Sequence, residues 1–114
     1  MVWANSAIDR GTPIGPPLTE ANLSGHKAGR LPGYAFPDPA AEYRFEHFDR
    51  WCRDNSEHFT IIWVGDLWER ATFMRGMENI LLDVALNRRF VEELLRGIAD
   101  YILALFDEAG NTDY

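Results

Sequence analysis

Phe59-Thr60-Ile61-Ile62-Trp63-Val64, followed by Gly65-Asp66-Leu67-Trp68-Glu69-Arg70-Ala71, decides how the fold of this chain is read. The first run is apolar at nearly every position. A short segment that is apolar on both faces is the pattern of a strand with neighbours on each side in a sheet. Gly65-Asp66 turns the chain, and a helix is predicted from about Leu67. Gly76 interrupts that helix, and a second one follows over Met77–Leu86. Strand, loop, helix, helix is one unit of an α/β fold. The rest of the chain offers no convincing partner strand, so the expectation is a piece of a larger barrel.

Working outward, Asn87 is a good N-cap for a last helix running from Arg88 to about Ala109. Phe90, Val91, Leu94, Leu95, Ile98, Ile102, Leu105 and Phe106 give it a wide apolar stripe. Gly110-Asn111 is a stop signal. On the other side of the strand, Asp38 and Pro39 read as N-cap and first turn of a helix over residues 40–54. Tyr43, Phe45, Phe48, Trp51 and Cys52 supply its apolar spacings of three and four. Residues 1–39 hold all six prolines and five of the nine glycines, which reads as irregular chain with turns. Within it, Val2-Trp3-Ala4 reads as the stub of a strand. Tyr34 and Phe36 read as anchors of an extended piece. The expected division is therefore an irregular segment over 1–39 and a β/α portion over 40–114.

Composition narrows the function classes. The chain has 114 residues, 46% of them hydrophobic, enough for one core and no more than one domain. Its net charge of −7 falls wholly in residues 40–114, with 8 basic against 15 acidic groups. That balance argues against nonspecific binding to nucleic acid or to an anionic membrane, which needs a basic footprint. No run approaches the ~20 apolar residues of a membrane span. Met1-Val-Trp-Ala-Asn-Ser lacks the basic start and apolar run of a signal peptide. A single cysteine, Cys52, cannot form an internal disulfide and fits a reducing compartment. The expected location is cytoplasmic.

The order Trp68-Glu69-Arg70-Ala71, Met74-Arg75-Gly76-Met77-Glu78, Leu81 and Asp83, then Asn87, Phe90, Leu94-Leu95 and Ile98-Ala99-Asp100, resembles the uroporphyrinogen decarboxylase superfamily. Within it, the chain is more similar to the decarboxylase-like and corrinoid-methyltransferase-like branch than to the haem-pathway enzyme. The likeness extends back through Tyr34-Ala-Phe-Pro-Asp-Pro39, and weakly to Pro16-Pro17-Leu18 and Val2-Trp3. An irregular stretch over 24–30 has no place in it.

The resemblance implies an α/β fold, part of a (β/α)8 TIM-type barrel of about 250 residues. Here that means one clear strand, three to four helices and the long irregular N-terminal segment. It also implies a fragment of a decarboxylase (a lyase) or of a corrinoid-linked methyltransferase, inactive alone and acting in the complete protein on a small-molecule substrate. Neither class is assigned over the other. No cofactor is implied for this chain; zinc belongs to the full-length methyltransferase relatives, whose His and Cys ligands follow Tyr114. The arginine and aspartate residues that hold porphyrinogen in the haem-pathway enzymes precede anything present here. The tyrosine that faces their substrate corresponds to Phe73, which has no hydroxyl and weakens the case for a porphyrinogen.

The residues themselves give substrate-binding candidates and no catalytic one. Asp66 stands at the C-terminal end of the expected strand, an active-site address in a barrel. It reads first, however, as the N-cap of the helix from Leu67. Trp68 and Phe73 either floor a pocket for a planar ligand or are ordinary core. Arg70, with Glu69, Arg75 and Glu78, either grips an anion or belongs to an ion-pair set at the Gly76 corner. His47, Cys52 and His58 do not have the spacing of a zinc site, so no metal is expected. Gly25 and Gly29 follow no strand and do not make a phosphate loop. A second expectation, from a different class, is a small helical partner-binding or dimerisation module. Its apolar stripe would then drive self-association without any catalysis.

Overall fold

A computed structural model describes residues 2–5, 10–19, 34 and 36–110. The irregular stretch over 24–30, Asn111 and the chain after it lie outside the described residues. Two short strands, β1 (Val2–Asn5) and β2 (Arg10–Gly15), pair antiparallel with irregular register. Four helices follow: α1 (Phe48–Asp54), α2 (Leu67–Arg75), α3 (Met77–Leu86) and α4 (Arg88–Gly110).

The barrel portion is not what forms. Residues 59–64 form neither helix nor strand and belong to no ladder, and the helical body contains no sheet among the described residues. The reason is physical. A strand is made by the neighbours that take its N–H and C=O groups, and among the described residues no backbone group pairs with 59–64. The side chains expected in an interior are instead in solvent: Phe59 is 92% exposed and Trp63 78%.

The helix expected over 40–54 is also broken. Asp38 does accept from the Ala40 N–H at 2.9 Å, as a cap should. The chain then makes one 3-10 turn, Glu42–Arg44, and a separate helix of 7 residues, α1. Most helical stability comes from packing an apolar face. Cys52 is the only buried residue of α1, while Tyr43 and Trp51 stay exposed, so little holds the longer helix together.

The other helix boundaries fall where the sequence places them. Asp66 is the N-cap of α2, its Oδ1 accepting the Glu69 N–H at 2.7 Å. Gly76 joins α2 to α3 at a φ of 86°, a conformation that favours glycine. The core is one cluster of Leu18, Ala71, Met74, Ile80, Val91, Leu94 and Ile98, where α2 and α3 fold back onto α4. Ile80, Leu94 and Ile98 are fully buried. Tyr34, Phe36, Phe90, Leu95 and Ile102 pack around them.

The α2–α3 corner is locked by charge. Arg75 Nε donates to Asp83 Oδ2 at 2.6 Å, and both side chains are 5% exposed. Arg75 Nη1 donates to the Leu18 carbonyl, and the Leu18 N–H donates to the Met74 carbonyl. Asn87 completes the group: its side-chain amide turns back and donates to Asp83 Oδ1 at 2.7 Å. The expected cap of α4 thus serves as a joint with α3. Of the ion-pair set expected at this corner, Arg75 is the member that is engaged, and its partner is Asp83.

Candidate functional site

A half-open cavity of about 270 Å³ lies between Tyr34, Phe36 and Pro37, α2 and α4; Arg70 and Tyr101 also line a second one, of about 340 Å³, with Arg44, Phe45, Phe48 and Trp63. In the first, Tyr34 and Phe36 form one wall, Arg70 and Phe73 the second, Ile98 and Tyr101 the third. Each comes from a regular position. Arg70 and Phe73 are one turn apart on α2, and Ile98 and Tyr101 one turn apart on α4, so each pair shares a helix face.

Phe36 is seated by a glycine. A β-carbon on Gly97 would lie 2.6 Å from Phe36 Cε2, so the missing side chain is the space the ring occupies. Glycine inside a helix costs about 1 kcal/mol relative to alanine, and close approach offsets that cost here. The Tyr34 and Phe36 rings meet edge to face at 5.2 Å, and Phe36 stacks on Tyr101 at 6.3 Å. Both are favoured aromatic geometries.

Arg70 is the only charged residue of this first lining. Its Nη2 donates to the Val64 carbonyl at 3.0 Å, tying α2 back to segment 59–64. Its guanidinium lies against Gly65, where a β-carbon would collide with it. Its Nε is buried without a partner. The guanidinium carbon lies 5.9 Å from the centre of the Tyr101 ring, within cation–π range.

Of the four residues selected as substrate-binding candidates, the structure brings together Arg70 and Phe73. Asp66 acts as the cap of α2, and Trp68 is partly exposed on that helix; neither lines the cavity. Beside the cap, Glu69 is fully exposed and its carboxyl is raised above the ordinary 4.5. A hydrogen bond to the Asp66 side chain and its like charge are the main causes, opposed by Arg70. Sequence reading missed Tyr101 and Gly97. Tyr101 lies three residues past Ile98 in the α4 stripe, and its hydroxyl amid aliphatic neighbours was the available signal. Gly97 interrupts a strong helix, and that too was readable.

No group of three metal-ligating side chains occurs among the described residues. Cys52 is buried and His47 and His58 are exposed. No described helix is long and apolar enough to cross a membrane. No family model, curated protein or solved structure matches this chain.

Proposed function

We propose that this chain is a working part of a uroporphyrinogen decarboxylase-like protein acting on a small-molecule substrate. The reaction is decarboxylation or corrinoid-linked methyl transfer, and the groups that carry it out lie outside these residues. The motif from Trp68 to Asp100 supports the class. The observation that carries the substrate reading is the cavity beside Arg70: at about 270 Å³ it falls below the usual range for drug-sized ligands, and far below a tetrapyrrole. Phe73 on its wall has no hydroxyl to offer a porphyrinogen. Lone Cys52 and the acidic balance support a reducing, cytoplasmic location with neither nucleic acid nor membrane as partner. No cofactor is assigned to this chain; zinc would belong to a segment after Tyr114.

Sequencing the transcript on both sides of the coding region tests the proposal. The expected result is flanking sequence that carries either the Arg/Asp set before Met1 or a zinc-binding His/Cys set after Tyr114. Frames closed on both sides with neither set would overturn it. Turnover by the purified 114-residue chain would overturn the placement of the chemistry outside it.

A second reading, a partner-binding or dimerising module without catalysis, is favoured by a different observation. Ile61, Trp63, Leu81, Leu82, Leu86 and Phe106 are all exposed, apolar surface that a partner or a second copy would cover. Folding that sharpens with protein concentration in sedimentation and melting experiments supports this reading; a monomer melting identically at every concentration removes it.

A further inference from the structure

The cavity holds a cation and no anion. Arg70 is its one charged lining residue, and among the described residues the only hydrogen bond of its side chain runs to the Val64 carbonyl. Its Nε is buried and unpartnered, and it enters no ion pair among the described residues. Five residues along the same helix, Arg75 shows the satisfied alternative, paired with Asp83 at 2.6 Å. Arg70 is half-buried, and with Nη2 held on Val64 its Nη1 is left to meet an acceptor such as a carboxylate. The remaining walls are aromatic and apolar, and Gly97 is cut away to admit Phe36.

Size sets the class. At about 270 Å³, below the usual range for drug-sized ligands, the cavity suits a small ligand of about one ring with one charged group. That is one aromatic ring with one carboxylate.

We infer that this cavity binds a small aromatic monocarboxylate, with its carboxylate on Arg70 and its ring against Phe36, Phe73 and Tyr101. The inference deepens the small-substrate reading above and rests on it. It needs no residue outside this chain and no catalytic step.

The test titrates the full chain with benzoate at about 150 mM salt, where long-range repulsion from the net charge is screened. Aromatic and arginine side-chain NMR signals report the site. The expected result is saturable shifts of Phe36, Phe73, Tyr101 and Arg70. Benzamide, the neutral isostere, should bind at least roughly tenfold more weakly. Arg70→Gln should lose benzoate to a similar extent, Arg70→Lys should keep part of it, and Gly97→Ala should weaken it by displacing Phe36. Absence of saturable binding, equal binding of benzamide, or an Arg70→Gln protein that folds and binds unchanged would each overturn the inference. If Arg70→Gln does not fold, the benzoate–benzamide difference on the unaltered chain decides.

Binding is read without turnover, so the two proposals fail separately. A null titration removes the carboxylate site and leaves the class of chemistry to the flanking sequence. A positive titration beside closed frames removes the chemistry and leaves the site.

Discussion

Segment 59–64 and helix α4 both carry a run of large apolar side chains, and these end in opposite environments. In α4, Leu94 and Ile98 are fully buried; in the segment, Phe59 and Trp63 are among the most exposed large side chains. Hydrophobicity does not separate them. The difference is the number of neighbours each requires. A one-sided helical stripe is satisfied by one packing surface, and α2 with α3 supplies it. A segment apolar on both faces needs covers on two sides and ladder partners on two edges. Residues 59–64 find no ladder partner among the described residues, and only Val64, held by Arg70, is half-buried. Burial is conferred by partners, and pattern alone states only what kind of partner is wanted.

Substitutions on either side sharpen this contrast, and the largest effect belongs to the corner that holds α4 in place. Asp83→Ala strands Arg75 in a site where both side chains are 5% exposed, and should cost about 3–5 kcal/mol. Chemical denaturation checks this; a loss under about 1 kcal/mol would show that the pair is solvated. Leu94→Ala, in the centre of the core, should cost about 2–5 kcal/mol by the same measurement. Asp66→Ala removes the cap of α2 and should cost about 1 kcal/mol, seen also as faster amide exchange at Glu69. Ile61→Ala, the counterpart of the Leu94 change, should move stability by no more than about 0.5 kcal/mol. A core-sized loss there would mean that the segment is buried in solution and would erase the contrast.

The smallest effect is electrostatic. The carboxyl of Glu69 is raised in the folded state, chiefly by its hydrogen bond to Asp66 and the like charge there. A raised acid binds its proton more tightly when folded than when unfolded. Its contribution is therefore fully favourable at acid pH and is lost as pH rises from 4.5 through the raised value. Glu69→Gln should flatten that part of the stability–pH curve and leave neutral-pH stability equal or slightly higher. An unchanged slope in thermal melts across this range would place the coupling elsewhere.

The helical part of the fold was legible because its signals are local. Asp66 before Leu67, glycine at 76 and the Leu94–Ile98 spacing each act within one or two turns, and each fell where expected. What was misread depends on distant chain. The strand over 59–64 was inferred from a pattern whose meaning lies in absent neighbours. The helix over 40–54 had apolar spacing but no surface to press it against. Asn87 does stand at the start of α4, its carbonyl accepting the Val91 N–H, and its side-chain bond to Asp83, one turn back, is local as well. The site was half legible. Arg70 and Phe73 follow from helix geometry, whereas Tyr101 joins them only when α4 packs on α2.

The attachment of Leu18 has a consequence for how motion is distributed along the chain. Its N–H and C=O are both taken by the α2–α3 corner, and its side chain is 3% exposed, although it belongs to no helix or strand. An amide so placed opens only when that corner opens. In deuterium exchange, position 18 therefore belongs with Ile80 and Leu94 in the slowest class. A protease that clips the chain just after it would leave a short N-terminal peptide stapled to the helices, released only on global unfolding.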